Sequence, residues 1–160
     1  MDVFHTLAEI AVAVTGFSSL IVIFRGTTAT WDPQEYISFA FVFFWSIGAL
    51  FLSLLPIVLT EFDLDVERVA RIGLFSAVGF MVLVGTGLTM LRMRAGSAAG
   101  DRPFNVWMHL SFLFVVAVAS VGAWRWLPGP AAAWYAATIV LLLVHATAEL
   151  ALFVYQSVRR

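Results

Sequence analysis

A chain of 160 residues, 62% hydrophobic and only 12% charged, cannot hide its apolar surface in a water-soluble fold, where about a quarter of the residues are charged. Its formal net charge of −1 supplies no electrostatic reason for a nucleic acid partner. Cysteine is absent, which excludes disulfides, thiolate metal sites, iron–sulfur clusters and thioether-linked haem; all nine basic residues are arginine, and without lysine there is no Schiff-base chemistry. The partner that composition names is the lipid bilayer.

Crossing the hydrocarbon core in a helix takes about 20 mainly apolar residues at 1.5 Å each. Segments 4–24, 36–60, 69–91, 104–124 and 131–155 all reach that length. Continuous runs such as "FAFVFFW" lack the alternation of a barrel strand. The expected fold is therefore all-α: residues 1–160 form one polytopic membrane bundle with five transmembrane helices.

The first span opens with "MDVFHTLAEI", which has no positive run and carries Asp2 and Glu9, so it reads as a retained helix and not as a cleaved signal. Before the second, "TWDPQEY" offers Asp32 as N-cap, Pro33 at the first helical position and Glu35 three residues after the cap. Pro56 lacks an amide hydrogen and should kink that helix near its end. The acidic stretch "EFDLDVE" before the third span has no EF-hand spacing and reads as a solvated helix start. A small-residue loop, "AGSAAGDRP", leads into the fourth span, and the "LPGP" turn makes the fourth and fifth antiparallel neighbours.

Arginine sets the expected orientation. Arg25, Arg92, Arg94, Arg102, Arg159 and Arg160 fall on one side, and Arg68, Arg71 and Arg125 on the other with Glu61, Asp63, Asp65 and Glu67. The arginine-rich side should be cytoplasmic, with the N-terminus outside and the C-terminus inside. Trp124, Trp126, Trp134 and Tyr135 would form the outer aromatic belt and Trp31, Tyr36, Trp107 and Tyr155 the inner one, leaving Trp45 near mid-membrane.

Helices associate in lipid through close packing and polar contacts, so small and polar residues at helical spacing should mark interior faces. These are Ala13, Gly16 and Ser19 in line with His5 and Glu9; Ser46, Ala49, Ser53, Pro56 and Thr60; Ser76, Gly79 and Thr86; and Ser111 and Ala119. Tight packing is their ordinary consequence and a pore lining the alternative. The stretch "AEIAVAVTGFSSLIVIFRG" followed by "WDPQE" resembles the opening of a group of small, uncharacterised bacterial inner-membrane proteins, which have an "AGFSGIVVVF"-like first helix and a Trp-Asp-containing first loop. The resemblance implies a bacterial inner-membrane location and carries over no activity and no catalytic residue.

Ionisable residues at bilayer depth cost about 3 kcal/mol on insertion scales and tend to face the bundle interior. Counted from the "LPGP" turn, His109 lies about nineteen residues before and Glu149 about twenty-one after, a shared depth at 1.5 Å per residue. His145 lies one turn from Glu149 on the same helix face, so His109, His145 and Glu149 should form a buried polar cluster. At the outer end Glu9 should come level with Arg71 as a buried ion pair, with His5 on the face of Glu9. The inner cluster can serve as interhelical hydrogen bonding, as a proton or ion path, or as a metal or haem site.

No Gly-rich phosphate loop, "GxSxG" elbow or "HExxH" is present, so no enzyme and no cofactor is expected. Three roles remain: a homo-oligomeric channel or transporter for ions, protons or small solutes, ranked first because buried acids need a reason; an accessory or scaffold subunit beside partner membrane subunits; and a haem- or metal-binding redox protein. The arginine asymmetry leads to a direct test: a C-terminal tag should be protected from added protease in intact spheroplasts and digested after they are opened.

Overall fold

Lipid offers no hydrogen bonds to an exposed backbone, so a chain this apolar must close its amide and carbonyl groups on themselves. It does so in five helices, α1 (Asp2–Gly26), α2 (Pro33–Thr60), α3 (Val66–Arg94), α4 (Arg102–Trp124) and α5 (Ala131–Val158), and among the described residues there is no strand. The computed structural model describes residues 2–26, 33–62, 64–94, 102–124 and 129–158. The roles expected of Trp31, Asp32, Asp63, the 95–101 loop, Arg125, Trp126, Leu127, Pro128, Arg159 and Arg160 lie outside the described residues. So do those of the side chains of Arg25, Glu35, Arg92, Arg102, Trp107 and Gln156.

Four helices hold windows long and apolar enough to cross a membrane: Asp2–Ile21, Tyr36–Thr60, Val66–Leu91 and Ala131–Tyr155. In α4 the described side chains, His109–Trp124, form a shorter apolar stretch within a helix of 23 residues. The chain is a multi-pass membrane bundle. Side-chain contacts give the helix directions. From one end of α5 to the other, Ala131 meets Glu67, Tyr135 meets Phe4 and Leu52, and His145 meets Ser111 and Trp45, while Phe153 meets Phe39. Residue numbers rise together in α1, α3 and α5 and run the other way in α2 and α4. Helix α5 touches all four others, whereas α1 touches only α2 and α5.

One proline governs the packing of α2 against α5. Pro56 cannot donate to the carbonyl four residues earlier, which belongs to Leu52. That carbonyl is buried, and the Tyr135 hydroxyl donates to it from α5. The Tyr135 ring reaches it by crossing α3 at Gly73, where a Cβ would overlap the ring. Tyr135 was expected in the aromatic belt; the structure buries it completely, because the carbonyl freed by Pro56 is a stronger claim on its hydroxyl than the membrane interface is.

Other glycines repeat the ring-on-backbone arrangement. Phe80 lies over Gly48, Phe112 over Gly85 and Trp134 over Gly122. The interior face of α3 accordingly runs through Ala70, Leu74, Ala77, Met81 and Leu88. The expected interior stripe of Ser76, Gly79 and Thr86 is exposed, and so are Ala13 and Gly16 of α1 and Ser111 of α4; a Cβ on Gly16 or Gly79 would touch nothing. Large rings seated on glycines, and not small residues meeting small residues, set the interhelical spacing here. On α2 the expectation agrees with the structure: Ser46, Ala49, Ser53 and Pro56 are buried. The Ser46 and Ser53 hydroxyls donate to the carbonyls of Val42 and Ala49, each at 2.7 Å, which spends their donors inside their own helix and leaves a packing surface instead of a pore wall.

Tyr135→Phe should leave the Leu52 carbonyl unsatisfied and lower the unfolding free energy by about 1 kcal/mol. In a Pro56→Ala background the restored amide takes that carbonyl, so the same change should cost much less, and a double-mutant cycle in detergent measures the difference.

Candidate functional site

Along α5 the buried positions Tyr135, Thr138, Leu142, His145, Glu149 and Phe153 recur every three or four residues, the spacing of one helical face. Because α5 is the helix that all the others touch, this face looks into the centre of the bundle, and two ionisable side chains travel with it. Glu149 is 1% exposed and His145 5%. The remaining wall is supplied by Phe41 of α2, Gly85 and Thr89 of α3, and His109 and Phe112 of α4. The structure thus brings His109, His145 and Glu149 to one small cleft, in the half of the bundle nearer the arginine-rich end. Its cavity volume is about 10 Å³, on the scale of a single water molecule.

His145 is held on both sides. Its Nδ1 is 2.9 Å from the Ser111 hydroxyl, which donates to a bare nitrogen or accepts from a protonated one. The imidazole also meets the Trp45 ring edge-on at 5.8 Å and the Phe112 ring at 6.4 Å. Trp45 is fully buried, 5.3 Å from Phe112 and 5.9 Å from Phe80. Since Phe80 and Phe112 are the rings seated on Gly48 and Gly85, the aromatic layer is fixed from both sides. It separates the cleft from the half of the bundle that holds Tyr135. Trp45 Nε1 is buried with no hydrogen-bond partner among the described residues.

A metal or haem fits this geometry poorly. Among the described residues no three His, Asp or Glu side chains come together as a metal-holding group, and the cleft is far below the few hundred Å³ of ordinary cofactor pockets. What the arrangement can do is hold a proton: two imidazoles, a carboxylate and a hydroxyl that both donates and accepts line a space open to water-sized species.

The expected outer pair of Glu9 and Arg71 is not formed. Among the described residues helix α1 makes no contact with α3, and both Glu9 and His5 are exposed. Arg71 instead approaches Glu67 one turn earlier on α3, with Nη2 3.9 Å from Oε1. The Glu67 carboxylate in turn accepts the Ala131 amide at 3.0 and 3.2 Å, capping α5 from a neighbouring helix, where negative charge is favoured. Counting residues set Glu9 level with Arg71, but it could not say which helices are neighbours, and the contacts of α1 with α5 put Glu9 nearer the middle of the bundle than Arg71.

Ser111, Trp45 and Phe112 were not anticipated as neighbours of the cluster. For Ser111 a signal existed, since it and His145 each lie about seventeen residues from the centre of the "LPGP" turn. Nothing in the sequence pairs Trp45 with His145, because that contact depends on how α2 and α5 are rotated. Comparison with protein-family models, with curated proteins and with solved structures returns no match.

Ser111→Ala should strip His145 Nδ1 of its partner and lower stability by about 1 kcal/mol. Ser76→Ala, at an exposed position of α3, should stay within about 0.5 kcal/mol of the parent. Reversible unfolding in mixed micelles compares the two.

Proposed function

We propose that this protein is a small bacterial inner-membrane channel or transporter that binds and passes protons through the Glu149–His145–His109 cleft. One observation carries the reading: a carboxylate only 1% exposed sits on the same water-sized cleft as two histidines. Burying an ionisable group at bilayer depth is costly and is characteristic of conduction pathways and proton relays. The cleft volume of about 10 Å³ favours protons over small solutes as the species handled.

In this reading Glu149 exchanges a proton with the arginine-rich side and passes it to His145, one turn deeper on the same helix face. The Ser111 hydroxyl at 2.9 Å is placed to relay it, and His109 completes the polar wall. Passage to the opposite side needs the Trp45–Phe112 layer to part. Arginine asymmetry supports a cytoplasmic location for the cleft's end of the bundle, and the resemblance of the first helix supports the bacterial inner membrane.

Glu149→Gln keeps size and hydrogen-bonding capacity and removes titration. In proteoliposomes with an internal pH dye the variant should lose at least about 90% of proton flux, a lower bound beside the about 10²–10⁴-fold typical of removing one acid–base group, with unchanged thermal stability. Parent-like flux from a folded Glu149→Gln protein would falsify the role of this residue.

A further inference from the structure

Helix α1 turns an ionisable face away from the bundle. Its buried side is Phe4, Leu7, Ala8 and Ala11, while His5, Glu9, Ala13 and Gly16, three or four residues apart, are all exposed. The depth of this face follows from α5, which runs parallel to α1. Phe4 meets Tyr135 at 5.6 Å between ring centroids, and Leu7 and Ile10 share a groove with Val140, Leu143, Val144 and Thr147. Glu9 is therefore level with about Val140–Val144, some ten residues or ~15 Å below the first residue of α5. That is the middle of the membrane, deeper than an end-of-helix position.

A carboxyl group pointing at acyl chains from that depth is costly whether ionised or neutral. None of the hydrogen bonds or ion pairs among the described residues uses Glu9 or His5. The buried residues Phe4, Leu7, Ala8 and Ala11 hold α1 in this rotation, so turning Glu9 inward would turn Leu7 and Ala11 out.

We infer that a second copy of this chain covers the face, α1 packing against α1 with Glu9 in the shared seam. The face is complementary to itself. His5 offers an imidazole N–H and Glu9 an acceptor one turn deeper, so in a two-fold pair of parallel helices the His5 of each copy reaches the Glu9 of the other across the seam. Membrane insertion gives both copies the same depth and direction, which a chemically different partner would have to match separately. Toward the arginine-rich end Ala13 and Gly16 keep the seam narrow: no atom of the chain lies within 4 Å of a Cβ built on Gly16, so another backbone can approach closely. The exposed small residues of α3, Ser76 and Gly79, have no ionisable group beside them at that depth and make no such demand. This seam is independent of the Glu149 cleft and stands or falls without it.

The chain has no cysteine, so one introduced thiol reports cleanly. Ala13→Cys in native membranes, treated with a mild oxidant, should give a disulfide-linked species of twice the chain mass, and Ser76→Cys should not. Gly16→Leu touches nothing within the chain; added to Ala13→Cys it should cut the crosslinked fraction at least tenfold while leaving thermal unfolding of the chain unchanged. The inference is overturned if Ala13→Cys stays at single-chain mass, crosslinks no better than Ser76→Cys, joins a protein of another mass, or survives Gly16→Leu.

Discussion

A bilayer gives a polar group nothing to bond to, so a buried donor or acceptor is costly unless it finds a partner within the helices. The Leu52 carbonyl shows how far that requirement reaches. Pro56 leaves it open, and closing it draws the Tyr135 hydroxyl across the bundle, which requires a glycine at position 73 for the ring to pass. Three helices are tied together at one missing amide. The buried serines of α2 solve the same problem locally by bonding back to their own helix, which is why they contribute packing and no polarity to the interior.

Against that background the cleft of Glu149, His145 and His109 stands out because three ionisable side chains line one small space. Ser111 partners one imidazole nitrogen, but the space beside the three ionisable groups remains large enough for water. The wall beside His145 is made of rings, with Trp45 held between Phe80 and Phe112, which are themselves seated over glycines. Rings of this size move only when their seats move, and the two glycine seats, Gly48 and Gly85, lie on α2 and α3.

Glu9 presents the converse case, an acid on the outside of the bundle. The two carboxylates differ because α5 is surrounded and α1 lies at the edge. An edge helix has a face that the chain itself cannot cover, and the polarity found there is best understood as addressed to another copy of the protein.

The number and length of the helices, their alternating direction and the shared depth of His109 and Glu149 were all legible in the residues, because each follows from distance along the chain: hydrocarbon thickness, helical rise and a short turn between α4 and α5. Rotation and neighbourhood were not. Ser76, Gly79 and Gly16 look like packing residues by type and are exposed, Tyr135 looks like an interface residue and is buried, and Glu9 and Arg71 share one half of the bundle on helices that never meet. In lipid both faces of a helix are apolar, so no hydrophobic contrast tells the chain's own pattern which face turns inward. That choice is made by contacts between distant segments, by a ring finding a glycine and a hydroxyl finding the carbonyl a proline left open, and only the tertiary structure contains them.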